Sequence, residues 1–238
     1  MKLADLIQSA EHSPTVQTYE ITAIIDSALC IGAGGSSGSL ADKPIVRNAA
    51  GTLIIPGSHL KGRLRHECEK LARGLGLHVS ESPNPGAMMQ TFNSVMSESS
   101  NPAQIRYCVI SKIFGNPQIP SRLWVDDLIC KAKQKDLPTE VIRPGVTINR
   151  RRGTAEDEKL YYLETSPANQ KLEFIGQLHL ELVPEIDYAL PLLVAGLQHI
   201  KALGGSKSAG LGWLTWKLPE TLKITSTHPG WEKLKGGK

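Results

Sequence analysis

The chain has 238 residues, 40% of them apolar and 21% charged, and 27 Lys and Arg against 23 Asp and Glu leave a formal charge of +4. That length buries a core without disulfide or metal staples, and that composition excludes wholesale disorder. The longest nearly unbroken apolar run, Ala189 to Leu197, is too short to cross a bilayer, and an early acid, Asp5, with no apolar stretch after it predicts no secretory signal.

In chain order, residues 1–15 read as a short helical lead-in that ends before Pro14. Val16 to Ile31 is rich in β-branched residues and reads as a strand. A glycine-rich break follows at 32–38, then an extended stretch at 41–47 and a short apolar segment at 53–56. Ser58 reads as an N-cap. After it Leu60, Leu64, Cys68, Leu71 and Leu75 step by 4, 4, 3 and 4, one apolar stripe of a helix over 58–74 that closes at Gly74 and Gly76. Residues 78–107 lack sustained periodicity and read as an insertion. Val109 to Phe114 reads as one helical turn and Leu123 to Cys130 as a strand. Residues 141–165 carry Arg150-Arg151-Arg152-Gly153 and read as a projecting arm. Leu178, Leu180 and Leu182 alternate with polar residues as a strand, 187–203 is a second helix ending at Gly204-Gly205, Leu211 to Leu218 is a last strand, and 219–238 is a polar tail. The order strand, helix, strand, strand, helix, strand predicts an α+β, ferredoxin-like βαββαβ core, the architecture of the RNA-recognition motif, with both helices on one sheet face.

Two glycine-rich stretches are decoys. Gly32-Ala33-Gly34-Gly35-Ser36-Ser37-Gly38 places its third glycine one position late for a dinucleotide fingerprint and opens no helix. Gly204 to Gly212 runs from helix into strand, the reverse of a P-loop. Positive charge is grouped with exposed backbone in two places. One is Gly57-Ser58-His59-Leu60-Lys61-Gly62-Arg63-Leu64-Arg65, where no acid stands before Glu67, Gly57 opens the backbone to a polyanion, and the helix start adds its dipole. The other is Gly204-Gly205-Ser206-Lys207-Ser208-Ala209-Gly210, a loop whose N–H groups, lysine and hydroxyls suit phosphate. Together they predict a track for a nucleic-acid backbone. Asp42 is the one acid between Asp26 and Glu67. Residue types alone leave it open between two roles. It caps a turn before Pro44, or it holds a hydrated Mg²⁺ that takes RNA phosphates as further ligands.

The stretch from Ile31 through Ala41-Asp42-Lys43-Pro44-Ile45-Val46-Arg47 to Ile55-Pro56-Gly57-Ser58-His59-Leu60-Lys61-Gly62-Arg63-Leu64-Arg65 resembles the N-terminal signature of the RAMP superfamily. Within it, the chain is similar to the Cas-seven-type backbone subunit of type III CRISPR effector complexes. Ile113-Phe114-Gly115-Asn116 resembles the turn after the family's lid, and Leu203 to Gly212 its C-terminal glycine-rich loop. The resemblance implies a single domain over 1–238 with a modified RNA-recognition fold, a lid at 78–107 and a thumb at 141–165. It implies a cytoplasmic subunit, without a membrane, that binds CRISPR RNA through Gly57, Ser58, His59, Lys61, Arg63, Arg65, Gly205, Ser206, Lys207 and Ser208. Arg150, Arg151 and Arg152 reach the guide–target duplex or the neighbouring subunit, and other effector subunits, paralogues included, are the partners. It also implies that Asp42 cuts target RNA with Mg²⁺ or Mn²⁺. The alternatives are a non-cleaving scaffold and a stand-alone CRISPR-RNA-processing endoribonuclease, for which His59 and His66 flank the basic segment. Some relatives carry a zinc knuckle. His66 and Cys108 fit two of its places, but Ser111 stands where a CxxC partner belongs, and closure needs something like Cys68 and His78, so the four cysteines at 30, 68, 108 and 130 read as reduced, mostly buried thiols and the zinc site as lost.

Overall fold

The computed structural model describes residues 15–32, 41–88, 107–133, 136–137, 141–224 and 228–235. The helical lead-in and most of the glycine-rich break and of the lid, at 89–106, lie outside them. The chain is α+β. Strands β1 (Thr15–Ile25), β2 (Ile54–Ile55), β3 (Leu123–Val125), β4 (Leu128–Cys130), β5 (Val141–Asn149), β6 (Thr154–Thr165), β7 (Leu172–Leu182) and β8 (Leu214–Lys217) are joined by α1 (Gly57–Gly74), α2 (Pro85–Met88), α3 (Val109–Phe114), α4 (Ala189–His199) and α5 (Gly230–Lys235). The main sheet runs β2-β4-β7-β1-β8, with β3 also on β7, and every strand pair in it is antiparallel.

Period-two alternation decides the faces. Tyr19, Ile21, Ala23 and Ile25 of β1 and Leu172, Phe174, Leu178 and Leu180 of β7 are buried, beneath Leu60, Leu64 and Cys68 of α1 and Leu192, Leu193 and Leu197 of α4. Each such leucine withdrawn from water stabilises the fold by about 1.5–3 kcal/mol. The opposite sheet face carries no helix among the described residues, and none of the described helices is long and apolar enough to cross a membrane.

Several expectations are corrected. The helix expected from a Ser58 cap starts at Gly57 with Pro56 as N-cap, leaving Ser58 exposed in the first turn. The strand expected over 123–130 breaks at Asp126-Asp127 into β3 and β4, because Asp127 turns its carboxylate to the Gly57 N–H at 2.8 Å. β1 stops at Ile25, and α4 ends at His199, after which Ile200 is extended and Ala202 bridges Trp213. The expected polar tail is partly core, since Leu222 and Leu234 are buried. Residues 141–165 form a separate two-stranded hairpin, β5 with β6, whose register shifts between Val146 and Ile148.

Candidate nucleic-acid interface

Four segments distant in sequence meet beyond the C-terminal end of β1. The turn after β1 supplies carbonyls: Gly205 donates its N–H to Cys30 O at 2.7 Å and Gly212 to Ala28 O at 2.8 Å. Leu203 donates to Gly212 O at 2.9 Å, which closes the 204–212 loop on itself. Gly204 donates to His59 Nε2 at 3.1 Å, so the loop is tied to α1. Burial first, then the charges of Lys207 and Arg63, push the His59 pKa down. The neutral ring therefore keeps its acceptor nitrogen, and His59 acts as a loop tether. Residues 205–210, Ser206, Lys207 and Ser208 among them, are exposed, and Lys207 Nζ donates to Gly204 O at 3.3 Å.

The fourth segment is the root of the hairpin. Leu163 lies in register with Lys43 on one side and Arg143 on the other. Ser166 donates its N–H to Leu29 O and accepts the Leu29 N–H at Oγ, both at 2.9 Å. Asp42 is exposed. Its N–H donates to Tyr162 O at 3.0 Å, and its Oδ2 accepts the Tyr162 N–H at 2.7 Å. Its carboxylate thus grips β6 rather than capping a turn before Pro44.

The basic residues expected on α1 are engaged within the chain. Lys61 Nζ donates to Ser121 Oγ and Leu123 O, both at 2.8 Å, and burial, then the Arg65 charge, holds its pKa down. Arg65 pairs with Glu69 at 3.0 Å and donates to Gly115 O at 3.1 Å, and Arg63 pairs with Glu67 at 2.7 Å. The run without acids is paired one turn later, at i+4. Gly57 is also explained by the chain itself: a Cβ there would stand 2.1 Å from Val125 O, so the close approach is to the β3–β4 turn and not to a polyanion. Arg150, Arg151 and Arg152 are exposed at the hairpin tip, where Asn149 Oδ1 accepts the N–H groups of Arg151 and Arg152.

Two cations escaped the sequence reading. Lys43 and Arg143 are exposed and both act on Cys30, whose thiol is raised by burial and pulled back by their charges. Arg143 Nε also donates to Thr165 Oγ1 at 3.3 Å. With Lys207 they surround the meeting point of the four segments. The profile of the RAMP superfamily matches residues 23–215, a span that runs from β1 to β8 and takes in this meeting point. The chain belongs to the RAMP superfamily. It is also 26% identical, over 190 residues, to the CRISPR system Cms endoribonuclease Csm3 of Methanocaldococcus jannaschii, a match that covers 74% of this chain and 67% of that protein.

In this RAMP domain two of the residues weighed for zinc, Cys68 and Cys108, have partners within the fold. Cys68 is buried between α1 and α4, donates to Leu192 O at 3.5 Å, and has its thiol pushed far up by burial. Cys108 caps α3 against Ser111. Among the described residues no cluster of three or more His, Cys, Asp or Glu is arranged to hold a metal. Asp42 offers one carboxylate oxygen with no hydrogen bond among the described residues, a fit for a hydrated Mg²⁺ that keeps most of its waters.

Glu67 organises the helix face behind the interface. It is 1% exposed and accepts from Arg63 at 2.7 Å, Lys70 at 3.2 Å and His199 at 2.6 Å. Burial alone raises its carboxyl. The hydrogen bonds from His199 and Lys70 and the charges of Arg63 and Lys70 outweigh it and hold the pKa below the ordinary value. A depressed folded pKa contributes stability above the unfolded value of about 4.3, lost as pH falls through the folded one. Glu67→Gln is therefore expected to destabilise the domain by about 2 kcal/mol at pH 7. The gap from wild type should close progressively below about pH 4.3, as followed by urea unfolding at several pH values. A gap of equal size at pH 7 and pH 3 refutes the ionic role.

The open sheet face has a different character. Glu20, Asp126, Glu173 and Glu181 stand there around the exposed Trp124 and Ile129. Most of its bases are paired: Arg122 with Glu181 and Lys131 with Glu173, and His179 bridges Thr18 and Asp126, while Lys217, opposite Thr22, stands exposed against these four acids. A polyanion gains more at the meeting point of the four segments than on this face.

Proposed function

We propose that the protein is a Cas-seven-type backbone subunit of a type III CRISPR effector complex, which holds CRISPR RNA and cleaves guide-paired target RNA at Asp42. The likeness to Csm3 supports the complex, and the strand order supports a ferredoxin-like core, in which β3–β4 and β7 stand for the middle strands and β8 for the last. The observation that carries the reading is the convergence of Asp42, Lys43, Arg143 and the 204–212 loop at the hairpin root. Lys43, Arg143 and Lys207 neutralise phosphates, and the Ser206 and Ser208 hydroxyls donate to them. Asp42 would hold Mg²⁺ or Mn²⁺, which when bound supplies positive charge to the phosphate under attack. Arg150 to Arg152, at the far end of the hairpin, reach the guide–target duplex or an adjoining subunit, and the complex works in the cytoplasm. The hydrogen bond from Tyr162 to Asp42 favours one second reading, a scaffold in which the carboxylate is structural.

The test is binding. Protein purified from its source is expected to carry a defined small RNA and large protein partners. Neutralising Lys43 and Arg143 together should weaken RNA binding alike across sequences and lower the salt slope by about 1.4, or 0.7 per lost contact. Unchanged affinity and slope would put the RNA track elsewhere.

A further inference from the structure

We propose that Glu164 is a positioning residue that locks the stretch bearing Asp42 to the root of the hairpin and so holds that carboxylate at the phosphate to be cut; this rests on the cleavage reading above. Glu164 is the penultimate residue of β6 and is 4% exposed. A carboxylate so deep must be compensated, and both oxygens are. Oε2 accepts the Ile45 N–H at 2.9 Å, and Oε1 accepts from Arg47 Nη2 at 2.9 Å. The Arg47 guanidinium is itself held by Gly51 O at 3.3 Å. The Glu164 N–H donates to Lys43 O at 3.2 Å, and two residues back Tyr162 exchanges bonds with Asp42.

Apart from the Arg47–Gly51 bond, each of these bonds joins 42–47 to β6. The stretch 42–47 has no regular secondary structure of its own beyond isolated bridges, Ile45 with Gly32, Lys43 with Leu163 of β6 and Arg47 with Leu53. The Val46 N–H donates to Ile31 O at 3.0 Å and the Val46 carbonyl accepts the Ile54 N–H at 3.4 Å, while the bonds of Asp42 and Lys43 go to β6. Its position is therefore borrowed, chiefly from β6. That strand runs from Thr154, beside the arginine tip, to Thr165 at the root. Its ladder with β5 is regular from Thr165 to Leu160, and the register shift and the left-handed Glu158 lie beyond, toward the tip, so the regular part of the hairpin is the part that holds Asp42. Asp42, bonded to the root, moves with it. Arg143 and Lys207 are anchored outside this stretch, at Thr165 and Gly204, so most of the phosphate grip survives where the position of Asp42 does not. A carboxylate placed only to stabilise the domain would serve equally anywhere in the core. This one bonds the loop on which Asp42 stands and no helix.

The experiment replaces Glu164 by Gln in the RNA-loaded protein. The amide keeps one acceptor oxygen and turns an NH₂ toward a donor, Ile45 N–H or Arg47, so one arm of the latch must open. Hydrogen exchange at the Ile45 and Tyr162 amides is expected to quicken about tenfold while β1 and β7 stay protected. RNA affinity should hold. Cutting at the wild-type phosphodiester should fall about tenfold and spread to its neighbours, since a misplaced group loses rate without losing binding. Should Glu164→Gln fail to fold, Arg47→Met opens the other arm while the Ile45 bond stays in place, and is expected to quicken exchange at Tyr162 and to shift the cut position in the same direction. Unchanged exchange at Ile45 and Tyr162 refutes the latch. Faster exchange with cuts as sharp as wild type refutes the positioning role. A wild-type protein that leaves target RNA intact overturns the cleavage reading itself, and the positioning role falls with it.

Discussion

Asp42→Asn is expected to cut guide-paired RNA at least about 100-fold more slowly than wild type, with RNA binding and assembly unchanged. Asparagine is the informative substitution because Asp42 has two tasks. Its Oδ2 accepts the Tyr162 N–H at 2.7 Å, and an asparagine oxygen accepts that bond as well. What asparagine lacks is the negative charge that a divalent cation needs. Asp42→Ala removes both, so it loses cleavage and also the one side-chain bond by which Asp42 itself is tied to β6. Comparison of the two variants separates charge from anchorage. Product analysis on a labelled target, with a chelator arm, reads the first, and exchange at Tyr162 reads the second. Full cleavage by Asp42→Asn, or cleavage that survives chelation, overturns the role of Asp42 and makes its carboxylate structural, with the cutting done elsewhere; a wild-type protein that cuts nothing leaves the scaffold reading.

Gly212→Ala is expected to cost at least about 3 kcal/mol of stability and to abolish RNA binding with it. Gly212 has φ +74°, a left-handed conformation that L-residues reach at roughly 1–2 kcal/mol. Its Cβ would also stand 1.8 Å from Leu203 O. Backbone movement cannot relieve the clash cheaply, because the Gly212 N–H is held by Ala28 O and its carbonyl by Leu203 N–H. Gly210 is the control. Its φ is +84° but nothing lies within 4 Å of its Cβ, so Gly210→Ala meets the left-handed strain alone. Equilibrium urea unfolding measures both, and equal losses for the two would dismiss the packing argument.

Local patterns were legible in the sequence. The apolar stripe from Leu60 to Leu71 located α1 within one residue of its start, and the alternation around Leu178 located β7. The glycines at 204–212 marked a real loop, since the backbone there visits φ values only glycine takes easily. Long-range partners were not legible. Nothing near Lys61 announces Ser121 Oγ and Leu123 O, so a basic residue that packs and one that waits for phosphate look alike. Lys43 and Arg143 stand far apart in the chain and become neighbours only through the register of Leu163. The break of 123–130 has the same origin, since Asp126-Asp127 turns out of line to meet Gly57.

The edges of the main sheet are uneven. β8 covers β1 only from Thr22 to Ile25, so the Thr15 to Ile21 part of β1 has a strand partner on one side alone among the described residues. A bare run of that length is a template on which another extended segment can pair. Its exposed side chains include the polar Thr15, Gln17 and Thr18 and the charged Glu20, so this edge is blunted by polarity and not by brevity.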